Sequence, residues 1–202
     1  MKYPRFFDNI ATIRLRDPLA DFLGAADGGI VEYCYLDAVK LAGHSCPTVA
    51  SAFGLTRQAL RALYGEDLPE RGGLRIEFAQ DIADGVAGVI ASVVSLLTGA
   101  AGAGGFKGLA GRYQRRELLF FNADIPLELR YTRLDGQGQV DAAAFPGKVP
   151  ASAEMGALMQ RCLSGQGEVS ELLRFGELWQ DRVRQILIDH GDDPSVFTIL
   201  RA

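Results

Sequence analysis

A helix start in the first quarter of the chain is the feature that most limits how this sequence can fold. Residues 42–48 read Ala-Gly-His-Ser-Cys-Pro-Thr. Pro47 suits the first position of a helix, because its missing N–H is not needed there and its fixed φ matches the helix. Cys46 is then the N-cap, and Gly43 permits a sharp turn just before it. We expect a helix that begins at Pro47, stops at Gly65 and packs across a sheet, which would hold the turn rigidly.

The same turn carries two side chains with useful chemistry. The Cys46 thiol would face free backbone N–H groups and the positive end of the helix dipole, which favour its thiolate form. A thiolate binds metals and attacks electrophiles, and His44, two positions away, can act as a base or a second ligand. One His-x-Cys pair supplies only two of the three or four protein ligands of a zinc site. A small buried cysteine beside a hydrogen-bonded cap histidine therefore stays open as the alternative.

The rest of the chain alternates strand-like and helix-like segments. Strands are predicted at 10–15, 30–35, 74–78, 117–121, 125–134 and 140–144, and helices at 36–42, 47–64, 86–97, 152–163 and 170–189. The strands at 117–121, 125–134 and 140–144 are expected to form an antiparallel meander. Strands with helices between and after them predict an α+β domain with a mixed, mainly antiparallel sheet. The composition changes past Pro150, so we predict an α+β domain over 1–150. A helical C-terminal extension over 151–202 would pack on that domain or on a dimer partner.

Asp37, on the short helix before the turn, has two interpretations. Asp37, Leu41 and His44 share a face of that helix, so the carboxylate can orient the His44 ring by hydrogen bonding. It is equally well explained as a carboxylate in the first turn that interacts with the helix dipole.

The stretch 98–109 has a glycine density that lets its backbone approach a phosphate, a cofactor or another chain. It matches neither the P-loop nor the dinucleotide-binding fingerprint. We interpret it as a flexible active-site loop, with a plain connecting loop as the alternative. Its only cation, Lys107, and Gly105 are the candidate cofactor-binding residues.

Composition and charge exclude several classes of protein. The chain is 48% hydrophobic and 23% charged, which indicates a globular domain, and its net charge of −4 argues against a nucleic-acid partner. We interpret the cluster of Arg112, Arg115 and Arg116 as a solvated strand face. The most apolar run, 86–97, is too short to span a membrane. The start lacks a secretory signal and the three cysteines lack disulfide spacing, so we expect a cytoplasmic protein with reduced thiols.

At Gly43-His44-Ser45-Cys46-Pro47 the sequence resembles the FmdE-like family, named after a component of formylmethanofuran dehydrogenase, whose hallmark is a Gly-His-x-Cys-Pro segment that opens a helix. Thr98-Gly99 followed by 105–109 resembles the second motif of that family, and the resemblance covers roughly 37–119. It implies an α+β domain, commonly a homodimer, that binds a transition metal, often zinc, through residues that here are His44 and Cys46. The family name comes from gene neighbourhood and establishes no reaction.

The chain departs from the family pattern at the positions of further ligands. Many relatives carry a cysteine and an aspartate in the second helix and a cysteine after the Thr-Gly pair, whereas this chain has Val89, Ser92 and Ala100 there. A bound metal would then complete its coordination with carboxylates, for which Glu77 and Asp81 are candidates, or with water or a bound molecule. A site left open in this way is of the catalytic kind.

Three functions follow, in order of preference. The first is a metal-binding protein that holds zinc or another divalent transition metal at His44 and Cys46, with Asp37 fixing the ring, an open position for a small molecule and Lys107 offering charge to it. The second is a metal-independent thiol enzyme in which His44 deprotonates Cys46. The third is a non-catalytic carrier or sensor of a cofactor or small molecule that dimerises through its C-terminal helices.

Overall fold

The computed structural model describes residues 2–201, so the outermost positions of the two predicted units, 1 and 202, lie outside it. The strands are β1 (Ile13–Arg16), β2 (Ile30–Tyr33), β3 (Leu74–Phe78), β4 (Leu119–Phe120), β5 (Leu129–Arg133), β6 (Gln139–Ala144) and β7 (Phe197–Arg201). The helices are α1 (Pro18–Phe22), α2 (Tyr35–Ala42), α3 (Pro47–Tyr64), α4 (Ala87–Thr98), α5 (Met155–Leu163) and α6 (Val169–Arg184). Within this part of the chain no helix is both long and apolar enough to cross a membrane.

The main sheet has the strand order β4-β3-β5-β6-β7, and β1 and β2 form a separate antiparallel pair. β5 pairs antiparallel with β3 and with β6, and β7 pairs antiparallel with β6. Helices lie both between and after the strands. The predicted α+β class, with a mixed and mainly antiparallel sheet, is confirmed.

The predicted meander is confirmed between β5 and β6, which pair antiparallel, and is wrong between β4 and β5. β4 pairs with β3 in parallel, Ile76 with Leu119, while the other edge of β3 pairs with β5. The reason is the intervening helix: α4 carries the chain back along the sheet, so that β3, α4 and β4 form a β-α-β unit, and such a crossover yields parallel strands.

The long helix α3 is the central element and follows the sequence signals at both ends. Cys46 is its N-cap, Pro47 is its first residue, and Gly65 ends it with a φ of 60°, which suits glycine. Val49 and Phe53 on this helix are fully buried. The helix contacts α2, α4 and the strands β6 and β7, so the turn at its start is held by the core of the protein.

The C-terminal segment is joined to the domain by β7, a strand that the sequence pattern did not predict. β7 pairs with β6 from Val140 opposite Arg201 to Ala144 opposite Phe197. The buried Ile186 belongs to the same hydrophobic core. The α5–α6 pair still exposes apolar side chains to solvent: Met159, Leu163, Val169, Leu172 and Leu173.

Gly54, in the middle of α3, allows β7 to approach the helix. A Cβ at this position would lie 2.7 Å from Cζ of Phe197 and 3.3 Å from Cδ2 of Leu187. Glycine to alanine in an open helix position stabilises by about 1 kcal/mol, whereas overpacking a core costs about 1–3 kcal/mol. We expect Gly54→Ala to lower the free energy of unfolding in urea. The matched control is Gly176→Ala on α6, where a Cβ meets nothing within 4 Å, and this change should raise it. Stabilisation by both changes would contradict close packing of β7 on α3.

Candidate functional site

The His-Cys turn forms the loop between α2 and α3, which we call the corner (residues 43–47). The Cys46 sulfur accepts a long hydrogen bond, 3.5 Å, from the backbone N–H of Val49, and the side chain is half-buried against the core. His44 is exposed, and its Nδ1 lies 3.0 Å from the carbonyl oxygen of Ala42. A carbonyl oxygen only accepts, so Nδ1 carries the proton and Nε2 the lone pair of the neutral ring. The lone pair is therefore on the nitrogen that does not face the backbone.

Helix α6 holds the backbone of the corner at Ser45. Trp179 Nε1 and Gln180 Nε2 both donate to the Ser45 carbonyl, at 3.0 and 3.2 Å. The Ser45 hydroxyl donates to Gln180 Oε1 at 2.9 Å and hydrogen-bonds the Tyr35 hydroxyl at 3.0 Å. The C-terminal segment thus fixes the peptide between the two predicted site residues. Sequence reasoning did not find these partners, because no local spacing relates position 45 to positions 179 and 180.

Tyr35 forms the inner wall beside the corner. It is fully buried and packs edge-on against Phe7 and Phe53. Burial raises the pKa of its phenol, the hydrogen bond with Ser45 lowers it in part, and the nearby Cys46 raises it further. The phenol therefore stays protonated at neutral pH and serves as a hydrogen-bonding support for Ser45.

The Asp37 carboxylate is hydrogen-bonded to Cys34, and the His44 ring is hydrogen-bonded to the backbone carbonyl of Ala42. Asp37 Oδ2 accepts from the Cys34 backbone N–H at 2.9 Å and from the Cys34 thiol at 3.3 Å. Cys34 is the N-cap of α2, so this carboxylate closes the first turn of the helix. Of the two interpretations given above, this arrangement matches the helix-terminal one, since the His44 ring is oriented by Ala42.

The glycine-rich stretch approaches another segment of the same chain. A Cβ at Gly105 would lie 2.8 Å from both the backbone nitrogen and Cα of Arg116. Ala101 donates to the Arg115 carbonyl at 2.9 Å, and Leu118 donates to the Ala101 carbonyl at 2.9 Å. Lys107 lies exposed on the same loop. Gly105 is therefore required by close packing against this segment, and the cofactor-binding roles of Gly105 and Lys107 stay predictions.

Around the corner the described residues offer no larger set of potential metal ligands than His44 and Cys46. Within residues 2–201 no three or more His, Cys, Asp or Glu side chains are grouped so as to hold a metal ion. The Glu77 carboxylate accepts from Arg75 at 2.9 Å, and Asp81 accepts from the Asn122 amide at 2.7 Å. Both carboxylates proposed above as further ligands thus have other partners.

No model of a known protein family matches this chain, and no curated protein matches it. The resemblance to the FmdE-like family rests on the two sequence motifs.

A cavity of about 770 Å³, separate from the corner, is lined by arginines. His44 and Cys46 are not among its lining residues. We call this cavity the arginine pocket and define it by six of the residues that line it: Arg16, Phe22, Arg71, Arg112, Tyr113 and Arg115.

A buried ion cluster lies behind the arginine pocket. Asp17 is 5% exposed; its Oδ1 accepts from Arg115 at 2.6 Å and its Oδ2 from Arg71 at 3.0 Å. Arg115 is 7% exposed, so the interpretation of residues 112–116 as a solvated strand face is wrong for this side chain, although Arg116 is exposed. Sequence reasoning missed the cluster because Asp17 lies 54 and 98 positions from its partners.

Proposed function

We propose that the corner binds a transition-metal ion, zinc or another divalent ion, through His44 and Cys46. The observation that carries the proposal is the 3.0 Å contact between His44 Nδ1 and the Ala42 carbonyl. Metal-binding histidines usually donate their second ring N–H to a carbonyl or carboxylate, which fixes the tautomer and leaves the other nitrogen for the ion. Cys46, the N-cap of an 18-residue helix, supplies its sulfur as the second donor. Both donors agree with the resemblance to the FmdE-like family.

Two protein donors define the kind of site that is proposed. A tetrahedral ion with two protein ligands has positions left for water or a bound small molecule. When bound, such an ion supplies Lewis-acid chemistry to a carbonyl or a water molecule. The protein itself would bind the ion and hold the corner in place through the contacts of α6 with Ser45.

Metal content of the purified protein tests this proposal. We expect about one metal ion per chain under reducing conditions, because the native corner binds it and the unfolded chain does not. Cys46→Ser and His44→Ala should each abolish it. The chain has only two histidines and three cysteines, so His190→Ala, Cys34→Ser and Cys162→Ser are a complete set of matched controls that should keep the metal. A metal-free wild type, or equal loss in His190→Ala, would overturn the proposal.

The second candidate is a thiol enzyme, and the position of Cys46 at the helix N-terminus favours it. His44 would then accept the thiol proton at Nε2. In this case Cys46 should react with iodoacetamide faster than Cys162 at about pH 7, with no effect of a chelator. If a metal protects the thiolate instead, the chelator should increase the rate at Cys46.

The homodimer and the cytoplasmic location also stay predictions. The exposed apolar residues of the α5–α6 pair are the surface through which a dimer would form. Because the inner side of α6 already contacts Ser45, the outer side is the one left for a partner.

A further inference from the structure

The arginine pocket concentrates positive charge on an acidic chain. Its four arginines outnumber its two acidic residues, Asp21 and Glu70, by two, while the whole chain carries a net charge of −4. Asp17, behind the lining, reduces the excess to one positive charge. A concave surface with an excess of one sign of charge attracts ligands of the opposite sign.

Arg115 is the innermost of these cations and is incompletely paired. Its Nη2 donates to Asp17, but its Nη1 is buried and has no hydrogen-bond partner among residues 2–201. A Cβ at Gly72 would overlap Nη1, so the absence of a side chain there is what admits the guanidinium. Buried polar groups without partners are uncommon and call for an explanation. Gly72 covers Nη1, so an anion in the cavity would act on Arg115 through charge, without contacting that nitrogen.

The rim of the arginine pocket is a continuous stack of Arg112, Tyr113 and Phe22. The Arg112 guanidinium lies 5.0 Å from the Tyr113 ring centroid. The rings of Tyr113 and Phe22 stack with their centroids 5.4 Å apart and an angle of 29° between their planes. The backbone of Arg112 is held by two hydrogen bonds to Leu109, of 2.8 and 2.9 Å. Among the described residues Arg112 forms no ion pair, and Phe22 is 62% exposed. The rim therefore presents a guanidinium without a carboxylate partner next to an exposed ring face.

We propose that the arginine pocket binds a small phosphorylated compound with a flat ring. The phosphate would contact Arg112 and Arg16, whose Nη2 also donates to Asp21 at 3.1 Å. Arg71 and Arg115 add charge from the inner wall, and the ring would stack on Phe22. Guanidinium groups bind phosphate through paired, charge-assisted hydrogen bonds, and exposed aromatic faces stack on planar rings. The volume of about 770 Å³ is within the usual range of small-molecule sites, about 300–1,000 Å³.

Calorimetric titration at constant ionic strength tests this site with three probes: adenosine monophosphate, inorganic phosphate and citrate. Both phosphates should bind. Adenosine monophosphate should bind about tenfold more tightly than inorganic phosphate, because stacking of a base on an aromatic side chain contributes a factor of about that size. Citrate should bind less tightly than adenosine monophosphate.

Three variants and one control separate the contributions. Arg112→Gln should weaken the binding of both phosphates about tenfold, since a hydrogen bond to a charged group is lost. Arg116→Gln removes the same charge from an exposed neighbour outside the lining and should leave affinity unchanged. Phe22→Ala should remove only the advantage of adenosine monophosphate. Cys46→Ser should bind as the wild type does, so the result is independent of the metal proposal.

The site is overturned if neither phosphate binds, if citrate binds as tightly as adenosine monophosphate, or if the two arginine variants lose affinity equally. Equal affinity for adenosine monophosphate and inorganic phosphate would contradict the role of Phe22. Arg112 and Arg116 are both exposed, so each variant should unfold thermally at the wild-type midpoint, which excludes misfolding as the cause.

Discussion

Asp17→Asn is expected to lower the free energy of unfolding by about 3–5 kcal/mol, because it leaves two buried or half-buried arginines without their carboxylate. Asp17 is 5% exposed and accepts from both Arg71 and Arg115. Asparagine retains the side-chain oxygen that caps α1, where Asp17 accepts from the N–H of Leu19 at 2.9 Å. The measured loss should therefore report the charge and not the cap. Urea denaturation of the two proteins measures it.

Asp21→Asn provides the matched control. Asp21 pairs with Arg16 in the same region, but the two side chains are 40% and 50% exposed. Exposed ion pairs contribute about 0–1 kcal/mol, because water screens them. Similar losses in the two variants would show that the cluster at Asp17 is no more important than a surface pair.

The pH dependence of stability gives a second measure of Asp17. Burial raises the pKa of this carboxyl, but the hydrogen bond from Arg71, the charge of Arg115 and the N–H of Ala20 outweigh burial and hold it below the ordinary 3.8. A lowered folded-state pKa means that the contribution of Asp17 is complete above about pH 3.8 and is lost as the pH falls through the folded-state value. The wild type should therefore lose stability in acid more steeply than Asp17→Asn. Parallel acid profiles would contradict this.

The elements that the sequence predicted well are those with local signals. Pro47 and Gly65 mark both ends of α3, and alternation at 74–78 gives β3 with its observed bounds. Strand pairing has no such local signal, since the position of β4 beside β3 depends on where α4 returns the chain. β7 was overlooked because its partner, β6, lies more than 50 residues away.

The candidate sites, too, could be predicted only where the sequence carries a local signal. The placement of Cys46 at a helix start was readable from Pro47, whereas the glycine density at 98–109 showed only that its backbone can come close to another group. Its partner, the segment around Arg116, was not readable. The support of Ser45 by Trp179 and the sharing of Asp17 by two arginines join residues that only the folded chain brings together. Clusters of charged residues in a sequence therefore show that charges are present, and not which of them become buried.

Gly72→Ala is expected to lower the free energy of unfolding by about 3 kcal/mol, the second large effect. Gly72 has a φ of 86°, which costs a residue with a side chain about 1–2 kcal/mol, and the new Cβ would overlap Arg115 Nη1. Gly136→Ala is the matched control, because its φ is 75° and a Cβ there meets nothing within 4 Å. It should cost only the conformational part, about 1–2 kcal/mol. Equal losses in urea denaturation would mean that Gly72 does not accommodate Arg115.

A double-mutant cycle joins this prediction to the first. If Gly72 matters because it leaves room for the guanidinium that Asp17 holds, then removing the carboxylate frees Arg115 to move away from the new Cβ. Gly72→Ala should therefore cost less in the Asp17→Asn background than in the wild type, with a coupling of about 1 kcal/mol or more. Independent sites would give additive losses instead. Additivity would show that Asp17, Arg115 and Gly72 do not form one structural unit, and would remove the structural basis for a fixed positive charge behind the arginine pocket.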